Sequence, residues 1–171
     1  MAEIRSTLDI IMEKAKEVDV TEADRIAFKK QELEGKIRGF LQKFQDQIIP
    51  EDRVVEELEA IGMQEEKMIR EIFMDDCLSR VDPEADNARL LGLMKRATGL
   101  DVTPFYEVLK RCRDRMNQER DRCLSITIER LRKRGISGSA VVPNLEADPS
   151  WMNVKAKIKQ DAMESLMALK P

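Results

Sequence analysis

Apolar residues recur along this chain at alternating steps of three and four, the spacing that lines one side of an α-helix, and nowhere sustain the every-second-residue rhythm of a strand. Ile4, Leu8, Ile11, Ala15 and Val18 form the first stripe and predict a helix over 3–18. Thr21 follows as an N-cap, with Glu22 and Asp24 placed where first-turn carboxylates complement free amides and the helix dipole. The helix it opens carries Ile26, Leu33, Ile37, Phe40, Phe44 and Ile48 on one side. Pro50 is expected to end it, because a residue before proline disfavours the helical conformation and proline suits the first turn of a new helix.

That third helix places Val54, Val55, Leu58 and Ile61 inward, and Gly62 then either caps it or sits within a pattern that continues through Met68, Ile69, Ile72, Phe73 and Leu78. Continuity or a kink is favoured, since no second turn residue accompanies the glycine. Asp82 as cap and Pro83 as first residue predict a fourth helix over 83–98, burying Leu90, Leu91, Met94 and Ala97 and stopped by Gly99. Thr103 and Pro104 repeat the start signal for the longest element, 104–134, with heptad-like steps at Phe105, Leu109, Cys112, Met116, Cys123 and Ile126. Thirty-one residues at 1.5 Å each reach about 46 Å, longer than a compact globule of this size is wide, so an elongated molecule is expected. The run GISGSAVVPNLEADPS breaks the helical rhythm before a last helix, capped by Asp148 or Ser150, that carries Trp151, Val154, Ile158, Ala162, Leu166 and Leu169.

The fold class expected is therefore all-α, an elongated bundle of five or six amphipathic helices with about three quarters of its residues helical. It divides into a helical body over 1–135, an extended strap over 136–150 and a C-terminal helix over 151–171 docked on the body, all one domain. The strap spends Ile136, Val141, Val142 and Leu145 in a short span, which a purely flexible linker would not, and with Trp151 these residues are the candidate strap or interface. The docked reading leads, and strand addition to a partner is the alternative.

Composition narrows the chemistry. The 171 residues contain no histidine, so histidine-based triads, zinc proteases and histidine-ligated di-iron bundles are excluded. Cys77, Cys112 and Cys123 lack CxxC spacing, and the last two, eleven positions apart on one helix, stand roughly 16 Å from each other, so they read as reduced core residues. The start lacks a secretion signal's pattern and no window approaches a membrane span, which predicts a cytoplasmic protein without membrane contact. The carboxylates around Glu56, Glu57, Glu59, Glu65, Glu66, Asp75 and Asp76 form no metal-ligand pattern and read as solvated helix surface. No metal, no cofactor and no catalytic residues are assigned, and the chain is expected not to be an enzyme.

Charge supplies the remaining signal. Residues 1–100 hold 16 Lys and Arg against 23 Asp and Glu, a net of −7, whereas residues 101–171 are at +4. The cations concentrate in the long helix at Lys110, Arg111, Arg113, Arg115, Arg120, Arg122, Arg130, Arg132, Lys133 and Arg134, a candidate face for an anionic partner. Glu107, Asp114, Glu119, Asp121 and Glu129 are interleaved with them, so pairing along an exposed helix is the plainer account. Gly135 and Gly138 form a GxxG, but they follow a helix C-terminus, the wrong end for a phosphate. The functional expectation is a helical adaptor or assembly protein, self-associating as a dimer and meeting an unidentified protein partner. A nucleic-acid-associated protein using the basic helix is the alternative.

Overall fold

The computed structural model describes residues 21–61 and 66–170, and the expected helix over 3–18 and the junction at Gly62 lie outside them. Six helices make up the described residues: Glu22–Gln45 (α1), Glu51–Ile61 (α2), Glu66–Ser79 (α3), Ala88–Thr98 (α4), Thr103–Lys133 (α5) and Pro149–Ala168 (α6), with a single 3₁₀ turn at Leu145–Ala147. The described residues are 78% helical and contain no strand, so the fold is all-α. No described helix is long and apolar enough to cross a membrane.

Local signals set most boundaries. At the start of α1, Thr21 accepts from the Asp24 N–H at 3.2 Å while the Asp24 carboxylate accepts from the Thr21 N–H at 3.0 Å, a reciprocal capping box. The helix ends before Pro50, through a Schellman motif: Gln47 takes φ 60°, its N–H donates to the Phe44 carbonyl and the Ile48 N–H donates to that of Lys43. This turn throws Ile48 out of the helical stripe, and its side chain is 69% exposed. Ile26 is also exposed, at 51%, because α1 buries nothing before Leu33. The buried line is Leu33, Ile37, Leu41 and Phe44, with Phe40 at its margin.

The fourth helix starts five residues later than expected, at Ala88. Pro83 opens a turn: Asp82 Oδ1 accepts from the Glu84 N–H, and the buried Asn87 amide donates to the Asp82 and Ala85 carbonyls while its oxygen accepts from the Asp82 N–H. Those bonds tie Asp82, Glu84 and Ala85 into a turn that competes with a helix over 83–87. Gly99, at φ 70°, stops α4 with its N–H donated to the Lys95 carbonyl. Val102 stands at the N-cap of the long helix, and Asp101 just before it accepts from both the Thr103 N–H and its hydroxyl.

α1 packs against α2 and α3, α4 against α2 and α3, and α5 against α6. One apolar cluster joins these contacts, running from Leu33 and Ile37 through Phe73, Leu91 and Phe105 to Ile158 and Leu166. Cys77 and Cys112 are buried in it and Cys123 is half-buried, all three as free thiols. Burial pushes the Cys77 thiol far up and the Cys112 thiol up.

Candidate interaction surfaces

The buried side chains of α5 are Phe105, Val108, Leu109, Cys112 and Met116, all in its first half. The remaining 17 residues, 117–133, span about 25 Å at 1.5 Å per residue and bury nothing completely. Their apolar positions Cys123, Leu124, Ile128 and Leu131 are half-buried and Ile126 is exposed. Gly135 closes the helix in a second Schellman motif, with φ 77°, its N–H on the Arg132 carbonyl and the Ile136 N–H on that of Leu131.

The ten cations of the long helix do not share a face. At about 100° per residue they are distributed around the whole circumference, Lys110 and Arg132 on one side and Arg130 and Arg134 on the other. Arg115 leaves the set by reaching across to Asp161 of α6 at 2.7 Å, and Arg122 stands 3.8 Å from Glu119. The other eight, Lys110, Arg111, Arg113, Arg120, Arg130, Arg132, Lys133 and Arg134, have no ion pair among the described residues and all are exposed. The expected pairing along the helix is therefore the exception.

The strap is anchored at one end only. Leu145 and Trp151 are buried and Val141 is half-buried, but Val142 is 84% and Ile136 44% exposed. The docking of Ile136 and Val142 that their hydrophobicity suggested does not occur. Ile136 is held by the helix stop, and Val142 lies in the extended stretch after Gly138, whose φ is 139°. At the anchored end the Trp151 indole N–H donates to Glu146 at 3.3 Å, and Asp148 caps α6 by accepting from the Ser150 N–H at 2.8 Å. Lys155 links Glu146, at 3.5 Å, to Glu84, at 3.0 Å, and Lys159 contacts both Glu84 and Asp82. The bonded Lys159 ammonium holds Glu84 below the usual carboxylate range, while the Glu84 N–H first and Lys159 next do the same for Asp82. Lys155 and Lys159 are raised in turn by their bonds to Glu84.

A feature that sequence reading missed lies on the opposite pair, α1 and α3. Arg38 meets Asp76 at 3.8 Å, and Arg80 donates to Gln42 at 3.1 Å, to Gln45, and to the Arg38 carbonyl at 3.3 Å. The pairs Arg38 with Asp76 and Gln42 with Arg80 advance together along both segments, so α1 and α3 run parallel, with α2 between them in the chain. Residues of both helices, from Lys30 to Arg38 on α1 and from Lys67 to Ser79 on α3, line a groove of about 740 Å³. The clustered carboxylates are taken up by ion pairs: Glu56 and Glu57 pair with Arg53 and Asp76 with Arg80 at 2.9 Å within their own helical turns, while Asp75 pairs with the distant Lys170. Among the described residues no group of three or more Cys, Asp or Glu converges in a way that would hold a metal ion. Glu65 and the Glu66 side chain lie outside the described residues. No family model, curated protein or solved structure matches the chain.

Proposed function

We propose that this chain is a helical interaction and assembly protein, cytoplasmic and without catalytic activity, that self-associates through the distal half of α5. The observation carrying the proposal is the 25 Å arm beyond Met116: Leu124, Ile128 and Leu131, at steps of four and three, remain partly exposed on a helix that buries nothing completely there. Extending a helix five turns past its own core orders backbone and long side chains without a matching gain in buried apolar area, unless a partner supplies it. The arm holds more cations than anions, so pairing of two arms is opposed by charge and should strengthen with added salt. Light scattering at micromolar concentration should give about twice 19.7 kDa in moderate salt, and Leu124→Asp with Leu131→Asp should return the monomer. A monomer in all salt conditions defeats the dimer.

The second reading, association with nucleic acid, is favoured by the eight unpaired cations of α5 and its C-cap, Arg134. It predicts the opposite salt response: binding to a duplex or single strand that weakens steeply as salt rises. Arg130→Glu with Arg132→Glu should abolish it, whereas self-association, which the arm's positive charge opposes, should persist or strengthen. The acidic first hundred residues, at −7, oppose this reading for a chain whose total is −3.

A further inference from the structure

One side of the α5 arm carries a charge that changes sign along its length. At about 100° per residue, Leu124, Ile128 and Leu131 share an arc of about 100° with Asp114 and Asp121, toward the body, and with Arg132, at the tip. Asp114, Asp121 and Ile128 follow one another at steps of seven, as do Leu124 and Leu131, so the arc has the a and d spacing of a two-helix seam. Its three charged side chains are exposed, and none has an ion pair among the described residues. Met116, the last buried residue of α5, stands about 120° round the helix from Ile128, so the arc is not the side that α5 turns to its own core.

Two identical arms can pair along this arc in two orientations. Parallel, every seam residue meets its own copy, so Asp114 meets Asp114 and Asp121 meets Asp121 where water is excluded. Antiparallel, each a position meets a d position, and aligning Leu124 of one copy with Ile128 of the other places Asp121 opposite Leu131 and beside Arg132. Two-fold symmetry repeats that arrangement at the other end. The alignment centres the contact on residue 126, near the middle of the arm 117–133, so the arms overlap over their full length with the bodies at opposite ends. The arms' excess of cations persists in either orientation, but the antiparallel one sets a carboxylate against the cations at each tip. We infer that two copies of the chain pair antiparallel along this arc, Asp121 of each lying at the cationic tip of the other. The inference rests on self-association through α5, which either orientation would satisfy.

Single cysteines report the orientation. In a Cys123→Ser background, where the remaining thiols Cys77 and Cys112 are buried, the full chain carrying Asp121→Cys or Leu131→Cys is oxidised at micromolar concentration, each variant alone and the two mixed. Antiparallel arms set like cysteines ten positions apart, about 15 Å along the axis and beyond disulfide reach. Each variant alone should therefore stay uncrosslinked, and the mixture should give a disulfide-linked heterodimer. Parallel arms give the reverse, so crosslinking of either variant alone overturns the inference while leaving self-association standing. Asp121→Arg should weaken dimerisation about tenfold, whereas Glu119→Arg, the same change of charge about 180° from Ile128, should weaken it less than about threefold. Equal weakening by the two would overturn the placement of Asp121 at the partner's tip. Light scattering that finds every form monomeric in all salt conditions, the wild type included, defeats the self-association reading and the inference with it.

Discussion

Glu146 accepts the indole N–H of Trp151 at 3.3 Å, and this one bond joins the strap's only 3₁₀ turn to the first turn of α6. Because Lys155 then bridges Glu146 to Glu84, the return of the chain from the tip of α5 is fixed both to α6 and to the turn before α4. Truncating the buried Trp151 to alanine should cost about 3–5 kcal/mol, whereas Val142→Ala, at an exposed position, should stay within about 0.5 kcal/mol. Equilibrium denaturation of the two variants checks both numbers. Native tryptophan emission should be blue-shifted in the wild type.

Exposure also locates the proteolytic site. Limited digestion should cut between Ile136 and Val142 and spare Leu145–Trp151, leaving α6 bound to the body after cleavage. A first cut at or after Leu145, or loss of the C-terminal fragment on gel filtration, would show that the anchor does not hold.

Much of this architecture was legible from short-range chemistry. Thr21, Gly99, Pro104 and Asp148 each mark a helix end within a residue or two, because a cap needs only its own few neighbours. What misled was chemistry supplied across space or by a competing turn. Pro83 looks like a helix start until Asn87, four residues on, uses its amide to close a turn on Asp82. Ile136 and Val142 read as buried because they are apolar, yet the first is placed by a helix stop that fixes backbone alone. The α1–α3 groove was invisible because its lining depends on how two helices separated by α2 pack together, and no residue within either helix states it.

The cluster around Glu84 makes stability depend on pH at both ends. Glu84 and Asp82 are lowered in the folded protein, so their contribution is complete above the unfolded carboxylate range near pH 4 and is lost as pH falls through the lower folded values. Lys155 and Lys159 are raised, so theirs is complete below about pH 10 and is lost as pH climbs through the folded values. Solvent reaches Glu84, with 35% of its side chain exposed, and holds the effect of Glu84→Gln at pH 7 to about 1 kcal/mol. The difference between variant and wild type should vanish near pH 2, as measured by urea denaturation across pH. A difference unchanged by acid would show that packing, and not charge, carries the effect.

The thiols should react in the order of their burial. Cys123, half-buried on the distal arm, should be modified by an aromatic disulfide reagent in the native state, and Cys77 and Cys112 only on unfolding. Their raised pKa values remove the thiolate that attacks, in addition to the barrier of access. Cys112 is further held with its Sγ 3.9 Å from the Ile158 carbonyl, so its labelling reports separation of α6 from α5. If the α5 arm pairs with a second copy, Cys123 protection should rise with protein concentration.

Two glycines test the backbone argument with opposite signs. Gly99 has φ 70° and no neighbour within 4 Å of an added Cβ, so Gly99→Ala meets conformational strain alone and should cost about 1 kcal/mol. Gly35 sits inside α1, exposed, with nothing within 4 Å of an added Cβ and an ordinary helical φ. Gly35→Ala should therefore stabilise by about 0.5–1 kcal/mol, since alanine restricts the unfolded chain and favours the helix. Both changes add the same methyl group in open space, so packing and hydrophobic burial cancel in the comparison and the sign difference isolates the left-handed stop of α4. Thermal unfolding should lower Tm for the first and raise it for the second; a rise at Gly99 would mean that α4 does not end in a left-handed residue.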